Sequence, residues 1–466
     1  MATLGAGFRN GDVSYWVASE GRPRRRPPLA GSRGADVAIV GAGLTGLWTA
    51  YYLKRARPDL EIVIVEKDFA GFGASGRNGG WMSAKPAGLF QHYARAAGAP
   101  AAIALQQEMF GAVEESVNVA KAEGFGDDIV HDGLLHVATN RAQLARMRSS
   151  LANLRQEGWD GDHLVELGRT EFAERINVAG ALGGYWTPHC ARVHPARLTF
   201  GLARVVADSG VTIYEDTAAT SIGPHLVRTT RGDIRAKYIV QATEGYTCGL
   251  AGQRRRLLPM NSSMVVTEPL TDSDFESVGW RGGELLGDMA HNFSYLQRTA
   301  DGRIAVGGRG VPYNFGSSFD RDGRTAQKAV GQLALRLREL FPGLTDTRLH
   351  HTWSGVLGVP RDWTAGVTYD STTGIVFAGG YVGHGVTGTN LAARTVRDLL
   401  LGEHTPLTRL PWVGHRSRNW EFEPLRWFGA TTLYAAYRFA DRREYDTGMA
   451  TTHPAARLAT RISGRS

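Results

Sequence analysis

Cysteine is nearly absent: Cys190 and Cys248 are the only two in 466 residues. Two thiols cannot build a disulfide framework or a four-cysteine metal site, so a reducing, cytoplasmic compartment is expected. No uninterrupted apolar run is long enough to span a bilayer. No His, Cys and Asp cluster has metal-ligand spacing, no Ser or His sits in a nucleophile elbow, and no segment repeats, so no metal site is expected. Excess charge is also missing from most of the chain. Residues 35–410 hold 38 basic and 38 acidic groups; the net +8 comes from +4 in residues 1–34 and +4 in residues 411–466, neither of which contains a lysine. A neutral body argues against nucleic-acid binding and leaves the ends for an acidic partner or a membrane surface. The Arg24-Arg25-Arg26 cluster precedes Pro27-Pro28 rather than the apolar stretch of an export signal, which reads as an exposed Pro/Arg linker.

What is present is an ordinary globular composition, 42% hydrophobic and 21% charged, over a length that needs more than one packed unit. Glycine is abundant, 59 residues, and much of the signal lies in three glycine loops. Asp36–Val40 is an apolar run suited to a buried parallel strand. Gly41-Ala42-Gly43-Leu44-Thr45-Gly46 follows, then a helix over Leu47–Arg57, then a strand, Glu61–Val65, ending at Glu66 beside Lys67. Gly41 suits the tight turn, Gly43 lets backbone N–H groups reach a pyrophosphate, and Gly46 allows helix and strand to pack closely. The helix N-terminus favours phosphate, and Glu66 accepts from a ribose. The order strand, glycines, helix, strand, acid is specific for a dinucleotide but does not separate FAD from NAD.

The second loop, Gly73-Ala74-Ser75-Gly76-Arg77-Asn78-Gly79-Gly80, favours a flavin, whose ring and ribityl chain need more surrounding backbone than a nicotinamide. In the third, a strand (Ile375–Ala378) runs into Gly379–Gly385 and a helix over Thr389–Leu401, whose N-terminus can face flavin carbonyl oxygens.

With these loops on view, the sequence resembles the flavoprotein amine oxidases related to D-amino-acid, glycine and sarcosine oxidases, and most of all the gamma-glutamylputrescine oxidase branch. Ser14-Tyr15-Trp16, the loops at 41–46 and 73–80, Val193-His-Pro195, Gln241-Ala-Thr243, Tyr295-Leu-Gln-Arg298, Trp353-Ser-Gly355 and Gly380–Gly385 carry the likeness, which covers most of residues 14–405. It implies a Rossmann-like FAD-binding α/β domain interleaved with a mixed-sheet α+β substrate domain, and oxidation of a C–N bond. On that pattern residues 1–34 form a basic arm. Residues 35–100, 185–255 and 351–405 form the FAD domain, with Ala219 where the family contacts adenine. Residues 101–184 and 256–350 form the substrate domain, and 406–466 a helical tail.

Amine oxidation needs the substrate carbon at the flavin, a neutral amine, excluded water and positive charge near the flavin carbonyls. His384, in the third loop with Gly383, Gly385, Val386 and Thr387, is a candidate for flavin or substrate contact. Trp353 is a candidate wall for an alkylamine, Tyr295 with Arg298 a candidate pocket strand, and Lys85 a candidate for assisting oxygen reduction. For each a bland role stands alongside: a loop-stabilising histidine, a core aromatic, a structural ion pair, a solvated lysine. Where amino-acid oxidases of this group place an Arg for the substrate carboxylate, this sequence has Leu357 and Gly383. An amine substrate of the polyamine-derivative kind is therefore expected, with Arg309, Arg361 or Arg254–Arg256 as the remaining sources of an anion grip. The expected electron acceptor is O2, with a quinone or carrier protein as the alternative. Neither flavin loop has the Cys or His at which relatives attach FAD, so non-covalent FAD is expected.

In the tail, Pro424 begins a helix with Leu425, Phe428, Ala435 and Phe439 on an apolar face, joined by Trp427, Tyr434 and Tyr437, and Gly448 as its stop. That face is expected to dock on the enzyme itself, with a peripheral membrane or homo-oligomer contact as the alternative.

Overall fold

The computed structural model describes residues 4–309 and 312–464. Two large sheets organise it. In the first, Arg33–Val40 pairs in parallel with Ile62–Val65 on one side and Asp233–Gln241 on the other. Thr212–Tyr214 extends it beyond Ile62–Val65, and Ile375–Gly379 pairs with the far end of Asp233–Gln241. Val37–Val40 and Ile62–Val65 are buried throughout, as strands covered on both faces require. Helices Leu44–Ala56, Pro195–Asp208 and Gly385–Leu401 cover the side of Val37, Ile39, Ile62 and Ile64, whereas Leu29, Ile222 and Val227 pack on that of Ala38, Val40, Val63 and Val65.

The second sheet has nine strands, built around Leu258–Thr267 and Leu349–Val359, which run antiparallel along almost their whole lengths. Its strands alternate. Val265, Leu296, Ile304 and Val306 face a core closed by helix Gln327–Leu340, through Val330, Leu333 and Leu337. Met264, Tyr295, Ala305 and Trp353 face the opposite way, toward the first sheet.

Three details differ from the sequence expectations. Leu349–Val359 belongs to the nine-stranded sheet, because it pairs with Leu258–Thr267; membership changes near residue 360 rather than 351. Likewise Gly183–Thr187, which straddles the expected change at 184/185, pairs with Leu134–Ala138 in that same sheet. The basic arm is built in: Leu4–Asn10 adds a parallel edge strand to Leu349–Val359. Its Pro/Arg stretch is largely exposed but tethered, with Arg26 paired to Glu215 at 3.0 Å and Arg25 to Asp216 at 2.8 Å.

The tail forms two helices, Leu425–Thr447 and Pro454–Ser463. The longer one docks by only part of the expected apolar set, Tyr434 and Tyr437. Ala430, Tyr434, Tyr437, Ala440 and Glu444 are buried, whereas Leu425, Phe428 and Phe439 are more than half exposed. The choice is electrostatic. Glu444 meets His291 at 2.9 Å and Arg146 at 3.2 Å and accepts from the His453 N–H, while Asp441 accepts from the His291 and Asn292 N–H groups. No helix among the described residues is long and apolar enough to cross a membrane.

Burial opposes the Glu444 charge, but the bonds from His291 and His453 and the Arg146 charge outweigh it and hold the carboxyl at about 2. Because this value lies below that of an ordinary glutamate, the contribution is complete above about pH 4.3 and is lost as pH falls toward 2. Limited proteolysis is expected to release the tail in that window, and Glu444→Ala, which strands Arg146, to loosen it at neutral pH by about 3 kcal/mol.

Candidate active site

A cavity of about 420 Å³ opens between the glycine loops. Its walls include Gly41, Gly43, Leu44, Thr45, Glu66 and Lys67, then Gly73, Ala74, Ser75 and Asn78, then Ala219, Gly383, Gly385 and Val386. The loops thus converge although far apart in sequence. Gly41 sits at φ +109°, and a Cβ there would meet the Ala242 carbonyl at 2.6 Å. A Cβ on Gly46 would lie 2.0 Å from the Gly41 carbonyl, so helix and loop can approach this closely only without a side chain. Ser75 Oγ accepts from Leu44 N–H at 2.9 Å and joins the first loop to the second. Glu66 accepts from the Ala42 and Asp68 N–H groups, and burial pushes its carboxyl up to about 7. Carboxylate, helix N-terminus and glycine-lined floor match a ribose and a pyrophosphate, so the residues present fit a dinucleotide.

The second loop is held from behind. Ser14 Oγ donates to Gly76 O at 2.7 Å, Trp353 Nε1 to Arg77 O at 2.9 Å, Trp16 Nε1 to Asn78 O at 2.8 Å, and Gln297 Nε2 to Gly79 O at 2.6 Å. The Val193 N–H takes the next carbonyl, Gly80 O. Consecutive carbonyls are thereby consumed by side chains from the N-terminal arm and the nine-stranded sheet. This arrangement also locates two predicted residues. Trp353 is fully buried behind the loop, packed with Tyr15, Trp16 and His351, and does not reach the cavity. Arg77 is buried too; its guanidinium donates to Phe72 O, Ser354 O and Arg321 O and lies over the Phe72 ring. Gly46 and Thr387 likewise act in packing, with Thr387 fully buried in its helix.

Tyr295 stands over the end of the same loop: a Cβ on Gly79 would be 2.5 Å from its ring, and one on Gly307 2.0 Å. Its hydroxyl pairs with Ser262 Oγ at 2.8 Å, and Trp81 meets its ring edge-on at 5.8 Å. Strand alternation turns Arg298 to the other side, where it stacks over Phe275 and donates to Trp280 O. Gln297 shares the face of Tyr295 instead and reaches the Gly79 carbonyl.

His384 caps the helix Gly385–Leu401 and lies partly open beside Gly383. Burial, then the charges of Lys85 and Arg309, push its imidazole down to about 3. His136, stacked on Tyr185 at 4.6 Å, is likewise pushed to about 3 by burial and by Lys85. Lys85 is itself exposed, yet its field reaches both rings.

Several contributors escaped the sequence reading. Gln297 and Ser262 could have been found from two-residue alternation with Tyr295 and Met264. Glu244 accepts from the Gly380 and Tyr381 N–H groups and braces the third loop; a single acid after a strand gave no signal, nor did His136.

Residues 36–399 match the profile of the family described as FAD dependent oxidoreductase. The chain belongs to that family. It is 30% identical over 400 residues to the gamma-glutamylputrescine oxidoreductase of Escherichia coli, covering 84% of this chain and 89% of that protein. A probable oxidoreductase, OrdL, of Rhizobium meliloti is 29% identical over 404 residues, 82% of this chain and 87% of that one. In fold, the chain is similar to glycine oxidase from Geobacillus kaustophilus, with a TM-score of 0.67 at 21% identity over 83% of this chain and 99% of that chain. The family's cofactor is FAD, and among the described residues no cysteine lines the cavity.

Trp353→Phe keeps most of the packing but leaves the Arg77 carbonyl unsatisfied, at a cost of about 1–3 kcal/mol. The expected result is a lower thermal midpoint together with faster FAD loss on gel filtration. FAD is expected in the supernatant after acid denaturation, and a yellow pellet would contradict non-covalent binding.

Proposed function

We propose that the protein dehydrogenates a primary or secondary amine to an imine, which water hydrolyses to an aldehyde and an amine or ammonia. FAD, when bound, supplies the hydride acceptor and passes the electron pair to O2, giving H2O2. The residues expected to hold it are those of the three loops, with Glu66 on the ribose and Gly383–Thr387 at the flavin end. The observation that carries the reading is the third loop: His384, kept neutral by burial and by the charges of Lys85 and Arg309, follows Gly383, beside which Leu357 lies, and Tyr295 with Trp81 edge-on at 5.8 Å is the aromatic wall expected at the substrate. A neutral imidazole accepts or shares a hydrogen bond with an uncharged amine without adding a charge that repels the developing iminium. The aromatic wall excludes water from the carbon that loses hydride. Lys85, whose charge reaches His384, is the residue expected to stabilise reduced oxygen. The likeness to gamma-glutamylputrescine oxidoreductase supports a polyamine derivative as substrate.

A second reading, an amino-acid oxidase, is favoured by Arg309. It is 7% exposed, its Nη1 is buried without a partner among the described residues, and its Nη2 donates to Val382 O next to Gly383. An arginine thus reaches the place where Leu357 and Gly383 provide no charge, and a carboxylate would complete it.

Anaerobic flavin bleaching separates these readings. Amines of the acylated-diamine type are expected to bleach the flavin, whereas glycine, sarcosine and D-amino acids are not; the reverse pattern would establish the second reading. Oxygen uptake with the same amine distinguishes an oxidase from a dehydrogenase. Since His384 stays neutral above about pH 3, the rate of bleaching should rise as the substrate amine loses its proton, with no inflection near pH 6.5.

A further inference from the structure

The tail lies beyond residue 399, where the family match ends, and its surface is unlike the rest of the molecule. Of twelve exposed large apolar side chains among the described residues, seven fall between Phe422 and Ile462. Scattered single exposures are normal, but a concentration of this kind marks a surface that meets something. On the helix Leu425–Thr447, Leu425, Phe428, Ala435 and Phe439 are spaced by three, seven and four residues and share one face, away from the docked side. Leu458 and Ile462 repeat the pattern on Pro454–Ser463, each preceded by an exposed arginine, Arg457 and Arg461. Arg442 and Arg443 follow Phe439 by three and four residues, at the edge of its face.

The acids of the longer helix are spent inward. Asp441 and Glu444 are bonded to the body of the protein, which leaves Asp446, beside Arg442 at 3.8 Å, as the outward carboxylate of that helix. The outer side is therefore apolar and cationic. A second copy of the chain fits such a face poorly, because a two-fold contact sets the patch against itself and arginines against arginines. Anionic headgroups above acyl chains complement both properties at once.

We propose that the two C-terminal helices form a docking surface for a bilayer containing anionic lipid, on which the protein lies without crossing it. Leu425, Phe428 and Phe439 enter the headgroup boundary, and Arg442, Arg443, Arg457 and Arg461 hold lipid phosphates. Docking by the Tyr434–Tyr437 side, fixed by Glu444, keeps this face turned outward. The surface is separate from the FAD cavity, so lipid binding and amine oxidation can be measured independently.

The test is co-sedimentation of the full-length, FAD-loaded protein with phosphatidylcholine vesicles prepared with and without phosphatidylglycerol. Binding is expected to the anionic vesicles, to weaken in high salt, and to fall about tenfold or more in Phe428→Glu and in the Arg442→Glu, Arg443→Glu pair. Flavin absorbance and thermal midpoint should not change in either variant. Equal or absent binding to the two vesicle types, read on the unaltered protein, would overturn the proposal whatever the variants do. So would anionic-vesicle binding that both variants retain, or a concentration-dependent dimer that Phe428→Glu dissociates in place of vesicle binding.

Discussion

The clamp on the carbonyls of Gly76, Arg77, Asn78 and Gly79 is the constraint from which the active site follows. A glycine-rich loop has many accessible conformations, and ordering it costs more backbone entropy than ordering most segments. Here side-chain donors from separate elements fix the carbonyls on one side. The other side of the loop is left to face the cavity, where a cofactor needs donors already in place. The donors are mostly indole and amide groups at buried positions, and each would itself be costly to leave unpaired. Loop and clamp therefore satisfy one another.

This explains why sequence features distant from the glycine motif belong to it. Ser14 caps, and Trp16 belongs to, the short helix Tyr15–Glu20, which the edge strand Leu4–Asn10 brings against the nine-stranded sheet. Gln297 shares a strand with Tyr295, so one register sets both the clamp and the wall of the reactive end. A slip of one residue there would present Leu296 and Arg298 instead. The two sheets meet through this loop, and the interleaving of the chain gives each sheet a hold on it.

Much of this was legible beforehand. The βαβ unit, Glu66 and the three loops were read from local order, because their chemistry requires particular residues at fixed spacing. What escaped was set by contacts between distant segments. Trp353 reads as a pocket aromatic until its partner, the Arg77 carbonyl, is known. Arg77 reads as part of the flavin loop's cofactor contacts until its guanidinium is found bonded to Phe72, Ser354 and Arg321. The docked face of the C-terminal helix follows the buried Glu444, which takes Tyr434 and Tyr437 inward and leaves Leu425, Phe428 and Phe439 outside, since an ion pair with Arg146 and His291 can be made in only one orientation. Apolar periodicity identifies the helix but only part of the face it buries.

The order in which the clamp's donors leave the ribosome has its own consequence. Ser14 and Trp16 emerge first, the loop next, Gln297 after nearly two-thirds of the chain has been synthesised and Trp353 only after some three-quarters. Contacts of such long sequence separation form late. An interrupted nascent chain can display the complete glycine fingerprint at its start and still be unable to retain the flavin. Uptake of the cofactor then reports that translation has passed the nine-stranded sheet, which makes yellow colour a mark of a finished polypeptide.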